Sequence, residues 1–500
     1  MKKSIFVLGL MSLVFSASAK IEMGAPFSDG AVLQRGMKVP VWGTAEAGKT
    51  ITVSFAGAKV SATADADGKW MVKLPEMEAS SEGRTMSVAG DGSVEVRDVL
   101  VGEVWFASGQ SNMECPIWGS ACRYRDFEGG LMTTMTRLPK VRYVKVPRNW
   151  SVEPEPLSAK WCKFIPEDLR SFCVAKTGSG RTNHNSLSAV AFYYARELYL
   201  ALGIPVGIVD ASWGGVNIDC FIPRCGWDDC APEIKWLADY KLKKDWTAET
   251  DKKDPVSAAH KQPTVLWNAM VDAFTPMAMR GFIWYQGCSN HGEGDIYALK
   301  MHALYNGWSR AFQNPDLKLY FVQLAPWQQN WMSTVMAQNK FVSEEKNAAI
   351  AVTADVGNFS DIHPNRKEVV AKRLVVHALK RDYGFAIPED DSPVFKSASF
   401  ADGKATLKFD HVKSWYAYDA DFWREPPFEL AGKDGVWKDA KLVNEANRQP
   451  WQCGEIKGVD LVLEAEGVTD PVKVRYMGKD KVMGNLYNEA SLPLGPFETK

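Results

Sequence analysis

Beyond its first residues the sequence holds no apolar run long enough to cross a bilayer, which takes roughly 20 residues. It also has almost no net charge, with 59 lysines and arginines against 60 aspartates and glutamates. A soluble protein is expected, and neither nucleic acid nor a membrane surface is expected as a partner, because no global field would draw a polyanion. Internal repeats and low-complexity segments are absent too.

Histidine is scarce, at 7 residues, and the 9 cysteines show no zinc-site spacing. Cys225 and Cys230 bracket four residues, unlike the CxxC pairs of metal sites, and read as structural. No metal and no cofactor is expected. An odd cysteine count leaves at least one thiol unpaired, and export would make some disulfides without fixing their pairing. Two catalytic signatures are missing as well. Ser111 is not in a GxSxG elbow, since Met113 stands where the second glycine belongs. No pair of carboxylates at strand ends marks the acid and nucleophile of a glycosidase.

What is present begins with a leader. Lys2 and Lys3 precede an apolar run from Ile5 to Phe15, and Ala17-Ser18-Ala19 is a small-residue cleavage pattern. Residues 1–19 are expected to be a signal peptide and the protein secreted or periplasmic. The 19 tryptophans suit both core packing and the apolar faces of sugars.

At 500 residues the chain has room for several domains at about 150 residues each. Residues 20–98 read as short alternating strands with turn signals between them, a small β-sandwich. Residues 99–387 alternate buried strands with helices, the pattern of a mostly parallel sheet with crossover helices. The strands are VGEVWFAS, PVGIVDAS, RGFIWYQG, LKLYFVQLAP and NAAIAVTADVG. Two helices are marked by an apolar face and a terminal glycine, in SAVAFYYARELYLALG and VVAKRLVVHALKRDYG. Residues 388–500 return to short strands. The loop-rich stretch from Cys115 to Asn185 reads as an elaboration over the sheet.

Parallel sheets bind ligands beyond the carboxyl ends of their strands, and four such ends carry polar or glycine punctuation here. Ser111 follows the first strand in GQSNM. A serine needs a base within hydrogen-bond reach and a third group to orient that base. Among the histidines, His363 sits in a loop between the last parallel strand and a helix, with Asp361 two residues before it. Asp361 either orients His363 or caps the turn into the helix. Donors for an oxyanion are offered by Gly214 and Gly215 in SWGG and by Gln286 and Asn290 in the WYQGCSN loop.

GQSNM at 109–113, SWGG at 212–215, WYQG followed by Ser289-Asn290, and DIHP at 361–364 resemble the sialate O-acetylesterase family of SGNH-type hydrolases. The stretches FSDGAVLQRGMKVPVWGTAEAG and GNLYNEASLPLGPF are similar to that family's two ends, so the resemblance spans nearly the whole chain. It implies an SGNH-like three-layer α/β/α domain with flanking β-sandwich-like regions, removing O-acetyl groups from sialic acids without a metal. It also implies Ser111 as nucleophile, His363 as general base and Asp361 as its orienter. The oxyanion hole would be the Ser111 N–H, a Gly214 or Gly215 N–H and Gln286, with Asn290 as runner-up. Gln110, Asn112 and Trp213 are the candidate substrate contacts, and Arg181 or Arg224 would meet a sialic carboxylate. Acetylated polysaccharide is the alternative substrate, with Trp118, Trp213 and Trp284 as candidate cleft aromatics, though the apolar strand around Trp284 points first to core packing. A glycan-binding protein that has lost catalysis is the alternative class. One departure stands out: family members usually read WYQGES, and here Cys288 replaces the glutamate.

Overall fold

The computed structural model describes residues 20–117, 127–169, 187–235, 259–327, 331–417, 426–444 and 454–499. The leader at 1–19, Trp118 and Arg181 lie outside them. Among the described residues no helix is long and apolar enough to cross a membrane.

A single strand organises the molecule. Strand β1 (Gly92–Gly109) is 18 residues long and serves two assemblies. Its first part pairs antiparallel with Ser80–Gly90, which leads on to Thr50–Phe55 and Ala58–Thr63, while Val32–Gln34 pairs parallel with Leu100–Gly102. Its second part sits at the centre of a mostly parallel sheet with β2 (Leu138–Lys145), β3 (Cys162–Phe164), β4 (Val206–Ser212), β5 (Gly281–Tyr285), β6 (Lys318–Val322) and β7 (Ala348–Ala351), in the order β3-β2-β4-β1-β5-β6-β7. Only β3 runs antiparallel to its neighbour. Asp98 marks the changeover with a positive φ of 53°, so the boundary drawn at 98/99 falls inside one continuous strand.

Alternate residues of β1 explain why its sequence is apolar without a break. Val104 and Phe106 join one buried cluster, and Trp105 and Ala107 join the other. Helices α2 (Ala189–Leu202) and α5 (Lys367–Arg381) cover the Trp105 face; α3 (Asp295–Ala311) and α4 (Trp331–Glu344) cover the Phe106 face. A parallel strand covered on both sides must be apolar on both sides. The phenylalanine face is held by aromatic contacts: the Trp308 ring stacks on Phe282 at 4.4 Å and meets Phe106 edge-on at 5.4 Å.

Strand β7 is an edge, and its outward carbonyls are capped by α5. Arg381 donates to Ala348 O at 3.1 Å, His377 meets Ile350 O at 3.2 Å, and Arg373 donates to Val352 O at 2.8 Å. Four-residue spacing on a helix matches two-residue spacing on a strand, so three side chains close the edge to another strand. His377 is thereby structural. Beyond the sheet, residues 394–498 form a seven-stranded antiparallel sheet and a small three-stranded one.

Arg373 also holds Asp355 through two bonds of 2.7 Å, both side chains being almost fully buried. Arg373→Met leaves Asp355 as a buried charge and should cost about 3–5 kcal/mol. A denaturant titration would show this as a lower midpoint, whereas an unchanged midpoint would contradict the pairing.

Candidate active site

Strand β1 ends in a turn that only glycine can make. Gly109 has φ +137°, and a Cβ there would lie 2.3 Å from Tyr285 O on the neighbouring strand. Gln110 N donates to that same carbonyl at 3.0 Å, and the chain then enters the one-turn helix α1 (Ser111–Glu114). The turn is pinned from α2's N-cap, where Ser188 Oγ donates to Met113 O at 2.6 Å. Ser111 is left partly exposed at the carboxyl end of the central strand.

The loop after β7 comes to meet it. His363 Nε2 lies 2.9 Å from Ser111 Oγ, and His363 Nδ1 lies 3.0 Å from Asp361 Oδ1. Asp361 Oδ1 also accepts from His363 N at 2.9 Å, so one oxygen fixes both the ring and the backbone of the histidine. Asp361 thus braces the turn at His363 and faces its ring; it does not cap the following helix, whose N-cap position is Arg366. Burial holds the His363 pKa below the ordinary value, the charge of Lys367 lowers it further, and Asp361 pulls the other way. The imidazole is accordingly neutral at neutral pH, with a ring nitrogen beside a hydroxyl.

Gly214 lies against the serine. A Cβ on it would be 3.1 Å from both Ser111 Cβ and Glu114 Oε2. Gly214 N donates to Glu114 Oε2 at 2.8 Å, and Arg148 forms a two-point ion pair with that carboxylate, Nε to Oε1 at 2.6 Å. The Arg148 guanidinium lies 5.4 Å over the half-buried Trp213 ring, which also stacks on His260 at 5.0 Å.

Residues 101–374 match the family model for carbohydrate esterases described as sialic acid-specific acetylesterases. The chain belongs to that family. It is 27% identical over 433 residues to the sialate O-acetylesterase of Rattus norvegicus, covering 75% of this chain and 77% of the rat protein. With the Homo sapiens sialate O-acetylesterase it shares 27% identity over 383 residues, covering 69% of this chain and 67% of that one. The crystal structure of a carbohydrate acetylesterase from Xanthomonas citri superposes with a TM-score of 0.78 at 30% identity, covering 96% of this chain and all of that one. The protein is thus an esterase with a mixed α/β fold.

Four of the residues expected to act on substrate in this esterase are committed elsewhere. Gln286 Nε2 donates to Val216 O and Asn290 Oδ1, while its oxygen accepts from Tyr297; the residue is fully buried. Asn290 is equally enclosed, accepting from Ile218 N and donating to Asp219 and Glu293. Neither amide has an N–H left for an oxyanion. Gln110 Oε1 accepts from Gly287 N at 3.0 Å and Ser289 N at 3.2 Å, so it braces the 287–289 loop rather than facing substrate. Asn112, 2% exposed, donates to Ile362 O at 3.1 Å and accepts from Lys367. It ties the serine turn to the histidine loop. Gly214 keeps its N–H on Glu114, whereas neither Ser111 N nor Gly215 N meets an acceptor among the described residues.

Trp284 is fully buried in the core and out of reach of a sugar, and Arg224 is an exposed side chain paired with Asp228. Trp213 remains half-exposed beside Gly214. Cys115, next to Glu114, is in a disulfide, while Cys288 is a free thiol beside Asn112, its pKa pushed up to about 11 by burial. Sequence reasoning missed Glu114, Arg148 and Lys367. No motif announces the first two; the third lies four residues after His363, at the start of a helix, where its spacing was the available cue.

Gly214→Ala forces a methyl into the space between Ser111 and Glu114, and kcat should fall on the order of a hundredfold. Gly215, with φ +76° and nothing within 4 Å of a Cβ, tolerates the methyl sterically and pays only backbone strain. Kinetics on an acetyl ester should rank Gly214→Ala well below Gly215→Ala; the reverse order would contradict the packing.

Proposed function

We propose that this carbohydrate esterase is exported and removes O-acetyl groups from sialic acids by a serine acyl-enzyme mechanism. The observation that carries the chemistry is the continuous chain Ser111 Oγ, His363, Asp361, with both links at hydrogen-bond length. Ser111 attacks the acetyl carbonyl as His363 Nε2 takes its proton, and Asp361 stabilises the imidazolium through Nδ1. His363 then returns the proton to the departing sugar oxygen. A water activated by His363 releases acetate and restores Ser111.

For the developing oxyanion we assign the Ser111 N–H and a glycine N–H of the SWGG loop. Ser111 N is a first-turn donor with no helical acceptor of its own. Gly215 N–H is open, and Gly214 N–H becomes a donor to substrate only when Glu114 releases it. The sheet with helices on both faces supports an SGNH-like three-layer α/β/α body at 99–387, with β-sandwich-like regions at 20–98 and 388–500. The sialate preference rests on the family and on the rat and human relatives, and Trp213 is the side chain placed to meet the sugar. Export rests on the leader pattern at 1–19.

Acetate release from O-acetylated sialic acid and from acetylated polysaccharide, in wild type and Ser111→Ala, tests both chemistry and substrate. Release from the sialate ester that disappears in the variant is expected. Faster release from the polysaccharide would replace the substrate, and release surviving in Ser111→Ala would end the mechanism.

Because the reacting His363 must be neutral, activity should hold through neutral pH and fall as pH drops through the folded-state pKa, which lies below the ordinary histidine value of 6.5. A kcat/KM profile with its acid limb above that value would contradict the environment described.

A further inference from the structure

Lys367 opens α5 with its side chain 2% exposed, donates to Asn112 Oδ1, and lies 5.0 Å over the Tyr285 ring. Two other lysines are equally buried and both have carboxylates. Lys145 meets Asp210 at 2.9 Å, and Lys300 meets Asp219 at 3.0 Å and Glu293 at 2.9 Å. Among the described residues no carboxylate comes within ion-pair distance of Lys367. Burying an ammonium without a counter-charge costs several kcal/mol. The uncharged thiol of Cys288 adjoins it, with a cavity of about 20 Å³ beside that thiol, lined by Asn112, Leu324, Trp331 and Ile362 among others.

We propose that Lys367 is a positioning residue of the esterase reaction: it places an uncompensated positive charge behind His363, keeping the imidazole a free base, and through Asn112 it holds the histidine loop against the serine turn. This rests on the Ser111–His363 reading. Asn112 is the mechanical link, since its Nδ2 donates to Ile362 O, one residue before His363, while its oxygen receives the lysine.

The groups that surround this charge come from four elements: His363 and Asp361 on the loop after β7, Cys288 on the loop after β5, Tyr285 at the end of β5, and Ser111 and Asn112 on α1. Asp361 is the only carboxylate among them, and it is already bonded to His363. A nearby cation disfavours a second positive charge, so Lys367 opposes protonation of His363. Burial pushes the lysine's own pKa down to about 7, with Asp361 drawing it up. Below that pH the lysine is charged, and there it protects the neutral imidazole. The same charge raises the cost of the imidazolium formed during turnover, so the lysine extends activity to lower pH at some expense of the plateau rate.

The test compares kcat/KM against pH on a small acetyl ester. Lys367→Met removes the charge, and Cys288→Glu supplies the missing counter-charge; both should move the acid limb upward. Cys288→Ser, which adds no charge, should leave the limb in place. A lysine that is merely structural would lower the plateau in Lys367→Met without moving the limb in either charged-state variant. A second readout does not need turnover: the His363 imidazole, followed by NMR in a Ser111→Ala background, should titrate at higher pH when Lys367→Met or Cys288→Glu is added. Unchanged titration in folded protein would overturn the proposal. Esterase activity that survives Ser111→Ala would instead count against the serine mechanism, with the NMR titration still deciding the role of the lysine.

Discussion

The contact between His363 Nε2 and Ser111 Oγ joins residues 252 apart in the chain, and the architecture around it serves to hold that one distance. Neither group is fixed by its own segment. Ser111 rides on a four-residue helix after a strained glycine, and His363 on an irregular loop. Their separation is set by the parallel sheet, whose strands β1, β5, β6 and β7 run in register beneath them. Side chains that cross between strand ends then remove the remaining freedom: Gln110 to the 287–289 loop, Asn112 to Ile362, and Glu114 to Gly214. Three consecutive polar contacts from the serine turn thus reach three different loops.

Such a design requires polar groups to be buried, and a buried amide stabilises only when its donors and acceptors are satisfied. Gln286 and Asn290 show the rule at work. Each looks like a free amide at a strand end, yet both are absorbed into one network with Tyr297, Asp219, Glu293 and Lys300. The amides of this network are buried and keep no N–H for a ligand. Lys367 departs from the pattern, because its only hydrogen-bond acceptor among the described residues is neutral. With a thiol at 288 instead of a carboxylate, Lys367 has no counter-charge within ion-pair distance among the described residues.

The parallel strands were legible because two-sided burial writes itself as an unbroken apolar run, as in Val104 to Ala107. The serine, the histidine and the aspartate were legible because each lies where polar residues interrupt such a run. The amides were misread for a physical reason. An Asn or Gln at a strand end has the same sequence appearance whether its N–H faces the cleft or its neighbours, and only packing distinguishes the two. Glu114 and Arg148 were invisible because their meaning lies in a contact between separate loops. The continuity of β1 through Asp98 was hidden as well, since a change from alternating to fully apolar pattern looks like a boundary even when one strand carries both halves.

If His363 makes Ser111 reactive, covalent labelling will show it. The protein would be treated with a fluorophosphonate, which reacts with activated serines, and the modified peptide located by mass spectrometry. A label on Ser111 that is lost in folded His363→Ala is expected. A label on another serine, or one on Ser111 that persists undiminished without His363, would contradict it.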